Sequence, residues 1–159
     1  MRAENANGRE YEGLRYACEI RPRFEDADAY GVIHHSKYLL YVEEAKFAFM
    51  RDPAMFGMNA AGGAFKFPVT EIGLRYARAV RYEPGIALNV RLRFSIPDGV
   101  RVRFDYEIFH PGGRVCCRGY AVHAATDAND SLLLALPEAL TKRYEEIKAD
   151  KEDHRVCES

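Results

Sequence analysis

The chain has 159 residues, 48% of them hydrophobic and 12% aromatic, with 23 Lys+Arg against 24 Asp+Glu and a formal charge of −1. That length and composition suit one globular domain around a single core and exclude a disordered chain. The balanced charge removes the electrostatic ground for nucleic-acid or anionic-membrane binding.

The opening MRAENANGREYEG is polar, so residues 1–12 are expected to form a loose leader rather than a signal peptide. No window reaches the roughly 18 apolar residues of a membrane span. Cys18, Cys116, Cys117 and Cys157 form no CxxC pair and no zinc-like spacing. Reduced thiols in a cytoplasmic protein are the expectation.

A first strand is expected from about Leu14 to Phe24, followed by the stretch FEDADAYGVIHH. After it, SKYLLYVEEAKFAFMRD predicts a helix from Ser36, a suitable N-cap, to Asp52, with Pro53 as its stop. Apolar side chains occupy most of that helix's circumference, so it should be buried, and other elements must wrap it.

The second half supplies candidates. Strand patterns cover 66–83, Ala87 to Ile96, 100–108 and 114–126, with turns at Pro97-Asp98-Gly99 and Pro111-Gly112-Gly113. Successive hairpins imply an antiparallel sheet with one apolar face. A last helix starts at Leu136-Pro137-Glu138, and KADKEDHRVCES reads as a charged, frayed tail. The order predicts one α+β domain over 1–159, core about 14–147, with a curved antiparallel sheet around one long helix.

In FEDADAYGVIHH, three carboxylates precede a glycine and two histidines. Asp26 and Asp28 as a D-x-D pair could chelate a metal, but nothing suggests the nucleotide-sugar fold in which that use occurs. His34 and His35 are adjacent, should point apart, and have no third ligand nearby, so no metal site is expected. Asp26 is read as a loop brace. Glu43 lies close to two turns after Ser36 and so projects from nearly the same face as the helix start, while Glu44 is read as structural. His110 and His123 are taken as surface or pocket lining, and Tyr76, Tyr82 and Tyr106 as core aromatics.

Phe24, Asp26, Asp28, Gly31, Val32, His35, Tyr38 and Leu39, then Tyr41, Glu43, Glu44 and Ala45, form a series F-x-D-x-D-x-x-G-V-x-x-H-x-x-Y-L…Y-x-E-E-A. This series resembles the hotdog-fold acyl thioesterases, in the branch of 4-hydroxybenzoyl-CoA thioesterase and the YbgC-like enzymes, over roughly residues 14–147. The resemblance implies hydrolysis of an acyl-CoA or acyl-carrier-protein thioester. It makes Asp28 the catalytic carboxylate and the His35 N–H the donor to the thioester carbonyl. Glu43 lies near the acyl site, with Gly31, Val32 and Tyr38 beside the substrate. It implies no metal or redox cofactor, coenzyme A or phosphopantetheine entering only as part of the substrate. Such proteins are homo-oligomers, dimers joined sheet edge to sheet edge, often paired again into homotetramers.

The chemistry fits those residue types. A helix N-terminus offers unpaired N–H groups and about half a positive charge to an oxyanion. A carboxylate in its ordinary range is already ionised at neutral pH, ready to attack the carbonyl or take a proton from water. Gly31 permits a tight, left-handed turn. The basic grip on coenzyme A phosphates is not evident: the middle turn is acidic, and Arg101 and Arg103 are the substitutes on offer. The alternatives are a non-catalytic acyl-thioester sensor, which needs no Asp28; an acyl dehydratase, whose histidine and acid have no counterpart here; and a polyketide-pathway thioesterase.

Overall fold

The computed structural model describes residues 13–58 and 65–156. The expected leader and Cys157 lie outside the described residues.

Strands β1 (Leu14–Ile20), β3 (Val69–Tyr76), β4 (Leu88–Ser95), β5 (Val102–Phe109) and β6 (Val115–His123) form one antiparallel sheet in the order β1-β4-β5-β6-β3. Short β2 (Phe65–Lys66) and β7 (Thr126–Asp127) pair separately. Helices α1 (Lys37–Arg51) and α2 (Glu138–Val156) complete the domain.

Alternation decides which side of the sheet is wet. Val90, Leu92 and Phe94 of β4 and Val102, Phe104, Tyr106 and Ile108 of β5 are buried, while Arg91, Arg93, Arg103 and Glu107 take the intervening positions on the other face. The helix α1 packs mainly on β1 and β4. There Phe49 meets Phe94 at 5.4 Å, Phe104 at 5.9 Å and Tyr16 at 5.6 Å between ring centroids.

Burial of α1 is one-sided. Tyr38, Tyr41, Val42, Ala45 and Phe49 are enclosed, whereas Leu40 is 56% exposed and Phe47 lies open under Arg51 and Lys46. The sheet therefore covers one face of the helix within a single chain.

The expected long strand over 66–83 is broken. Pro68 cannot donate to a ladder, and Val80 to Tyr82 pair with the 31–33 segment rather than with the sheet. The second helix runs to Val156, through most of the stretch expected to be a frayed tail. Its Tyr144 packs on Phe94 at 5.7 Å, and Arg143 Nε donates to the Met55 carbonyl at 2.6 Å.

Candidate active site

The stretch between β1 and α1 folds into a small hairpin. A 3-10 turn at Phe24–Asp26 leads in; the Asp28 N–H donates to Val32 O at 2.8 Å and the His34 N–H to Asp26 O at 2.8 Å. Gly31 closes the tip at φ +76°, its N–H on Asp28 O at 3.0 Å. That left-handed backbone is what the sequence expects of a Cβ-free residue here. The far side of the hairpin is held by Ile33 N–H on Val80 O at 2.8 Å and Tyr82 N–H on Gly31 O at 3.0 Å.

Asp26 ties this hairpin to the helix. Its Oδ2 accepts the Tyr41 hydroxyl at 2.7 Å and the Arg23 N–H at 3.0 Å, and Lys37 Nζ lies 3.3 Å from Oδ1. Burial works to raise its pKa, but the Arg23 N–H, the Tyr41 hydroxyl and the Lys37 ammonium outweigh burial and hold the carboxyl below its usual range. Burial and the Asp26 carboxylate together push the Tyr41 phenol well up. A carboxylate engaged this fully is a brace.

Asp28 is held differently. Oδ1 accepts the Tyr30 N–H at 2.8 Å and the Val32 N–H at 3.3 Å, while Oδ2 takes no hydrogen bond among the described residues. The side chain is half-buried. Its hairpin partner Val32 is two residues, about 7 Å of extended chain, before His34 at the helix entrance.

At that entrance the Ser36 expectation needs correcting. Ser36 is itself in a helical conformation and makes no side-chain cap. Its hydroxyl and its N–H instead meet His34 Nδ1, at 2.8 and 3.3 Å. The rings of His34 and His35 do not point apart; they lie side by side with centroids 4.1 Å apart. Lys37 N–H bonds to His34 O at 2.9 Å, and no described residue accepts the His35 N–H. Tyr76 was missed as a functional residue. It is 45% exposed, not a core aromatic, and its hydroxyl donates to His35 O at 2.8 Å. Tyr38 is enclosed beneath, edge-on to Tyr76 at 5.3 Å. Periodicity alone could not have found this clamp, because 41 residues separate its ends.

Further along α1, Glu43 accepts both of its hydrogen bonds from Lys46 Nζ, at 2.9 and 2.7 Å. Lys46, a charged residue, is only 8% exposed. Glu44 is exposed. His123 is fully buried, and His110 is exposed with its Nδ1 accepting the Gly112 N–H at 3.1 Å.

The arginines offered for phosphate are engaged: Arg101 with Asp98 at 2.6 Å, Arg103 with Asp105 at 2.9 Å. An open concavity of about 1140 Å³ does carry Arg15, Arg75, Arg91, Arg93 and Arg118, but on the sheet face turned away from α1. Arg118 pairs there with Glu107 at 2.9 Å, so part of its charge is already balanced. Neither Asp28 nor the head of α1 lines it. Among the described residues no group of three or more His, Cys, Asp and Glu side chains could hold a metal ion, and no helix is long and apolar enough to cross a membrane.

The sequence profile of the thioesterase-like superfamily matches residues 22–144. YneP of Bacillus subtilis, whose name marks it as a candidate acyl-CoA thioesterase, is 23% identical over 109 residues, 69% of this chain and 78% of YneP. Among solved structures, Slr0204 of Synechocystis, a 1,4-dihydroxy-2-naphthoyl-CoA thioesterase, superposes with a TM-score of 0.73 at 17% identity, over 85% of this chain and 98% of its own. The DHNA-CoA thioesterase of Staphylococcus aureus gives 0.71 at 19% identity, over 91% and 95%. At those identities the two structures establish the shared fold.

Proposed function

The chain belongs to the thioesterase-like superfamily, and from that premise we propose that it hydrolyses an acyl-CoA or acyl-carrier-protein thioester to the free acid and thiol. One observation carries the reading: among the described residues nothing accepts the His35 N–H at the head of α1, and nothing engages Oδ2 of Asp28 on the hairpin that leads there.

The thioester carbonyl oxygen accepts the His35 N–H, and the helix dipole supports the charge that develops on it. Oδ2 of Asp28 then acts in one of two ways. It attacks the carbonyl carbon, forming an acyl-aspartyl anhydride as the C–S bond breaks, and water later hydrolyses the anhydride. Otherwise it takes a proton from the attacking water, and the departing thiolate recovers that proton. Gly31 and Val32 shape the loop beside the reacting carbon, Tyr38 backs the helix start, and Glu43 borders the acyl group. Neither route calls for a metal or redox cofactor.

The active form is a homodimer. On β3, an edge strand, Val69, Ile72 and Tyr76 are exposed, which suits edge-to-edge pairing with a second copy. The thiols of Cys18, Cys116 and Cys117 suit a cytoplasmic setting. A thiol-release assay over short, long and aromatic acyl-CoAs and matching acyl-carrier-protein thioesters tests the activity. Turnover reduced by about 10²–10⁴ in Asp28→Asn is the expected result; wild-type turnover in that variant would remove the assignment.

A further inference from the structure

Five arginines stand around the concavity on the sheet face turned away from α1, and the proposed hydrolysis uses none of them. Its floor takes one stretch from each of the five strands: 15–17, 91–93, 105–107, 118–120 and 73–75. Strand register sets the outward side chains in two rows that cross the whole sheet. One row runs Ala17, Arg91, Glu107, Arg118, Arg75. The other begins with Arg15 and Arg93, which oppose each other directly, as Arg118 and Arg75 do in the first. Like charges in opposed cross-strand positions cost stability, so folding alone does not account for them.

The lining holds two carboxylates, and both are committed. Glu107 accepts Arg118 Nε at 2.9 Å. Asp105 accepts Arg103, from beyond the concavity, at 3.0 and 2.9 Å, while Arg93 approaches it only to 3.9 Å. Arg91 is held by neutral groups. Its Nε donates to Asn89 Oδ1 at 3.1 Å, and its guanidinium lies 4.3 Å from the centre of the Phe109 ring. Its position is fixed while its charge is uncompensated. Arg75 is exposed, and no carboxylate among the described residues pairs with it.

The spacing of these two charges defines what fits. Arg91 and Arg75 share a row at three strand spacings, about 14 Å. A lone phosphate or carboxylate cannot span that distance. Glu107 stands between them, so an unbroken line of negative charge is repelled at its middle. Side chains on one face of an extended chain recur about every 7 Å, which sets carboxylates four residues apart over Arg91 and Arg75 with an uncharged residue between them. A second copy of the same face would bring arginines against arginines. Edge-to-edge pairing through β3 leaves the face uncovered.

We propose that this outer sheet face is a docking surface for an acidic segment of another protein, bound in extended form along the row from Arg91 to Arg75.

The test titrates full-length protein at low salt into a fluorescein-labelled peptide with glutamates four residues apart in a neutral, threonine-rich background. The same peptide with glutamine for glutamate, and inorganic polyphosphate as a competitor, are the comparators. The acidic peptide should bind saturably, the glutamine peptide should not, and affinity should fall as salt rises. Arg91→Gln and Arg75→Gln should each weaken binding by about 2- to 5-fold, the scale of an exposed ion pair. Arg114→Gln, exposed outside the concavity, should leave binding unchanged. Matching thermal midpoints establish that the variants are folded. Absence of peptide binding, or binding indifferent to both Arg91 and Arg75, overturns the proposal. So does polyphosphate that outcompetes the peptide, or self-association through this face that Arg91→Gln and Arg75→Gln relieve in sedimentation. Thiol release reports separately on the thioesterase reading.

Discussion

The hydroxyl of Tyr76 on β3 donates to the carbonyl oxygen of His35 at the head of α1, 2.8 Å away. A peptide clamped at its oxygen has a fixed orientation, and so does the N–H of the same residue. Tyr76 therefore acts as a positioning residue for the proposed oxyanion donor. Tyr76→Phe should lower kcat by about 10-fold, below the 10²–10³ typical of deleting a donor outright, since the N–H remains. A change confined to KM would show that the clamp does not serve the chemical step.

The two aspartates of the D-x-D pair should separate cleanly. Asp28→Asn is expected to reduce kcat by about 10²–10⁴ with little change in thermal midpoint. Asp26→Ala leaves the Tyr41 hydroxyl and Lys37 without their partner and should destabilise the fold by about 2–4 kcal/mol. Parallel melting and turnover measurements distinguish them; equal loss of stability in both would undo the division of roles.

Gly31→Ala forces a Cβ onto a backbone at φ +76°, with the Arg81 guanidinium 3.3 Å from that Cβ. The strain costs about 1–2 kcal/mol. Chemical denaturation should register it, accompanied by reduced turnover because the hairpin carries Asp28.

Stability should fall in two stages as pH drops. His123 is held below its usual pKa chiefly by burial, so below about pH 6.5 the unfolded chain takes up a proton that the folded state resists. Asp26 is depressed as well, so its contribution is complete above about pH 4 and is lost as the pH falls through its folded value. Denaturation midpoints from pH 8 to 3 check both. His123→Asn should flatten the upper stage alone.

Ile72→Glu places a charge on the exposed edge strand β3. Sedimentation should show the wild type as a dimer or dimer of dimers and the variant as a monomer. A wild-type monomer would exclude the proposed edge-to-edge pairing.

Much of the fold was legible because its determinants are local. The alternation of β4 and β5, the apolar run of α1 and the turn at Pro97-Asp98-Gly99 each depend on residues a few positions apart. Gly31 was legible for the same reason, as was Asp26 as a brace. Ser36 misled because a serine before a helix has competing partners, and here His34 takes its hydroxyl.

What the residue order determined alone is the set of elements and the chemical groups near the helix entrance, since backbone dihedrals and side-chain periodicity are short-range. Only tertiary packing decided which groups are restrained and which stay available. Tyr76 reaches His35, Lys46 sinks against Glu43, and the Tyr106 hydroxyl and His123 Nε2 are buried with no hydrogen-bond partner among the described residues. Those outcomes depend on how strands distant in the chain close over one helix face, and burial, unlike periodicity, is a property of the assembled molecule.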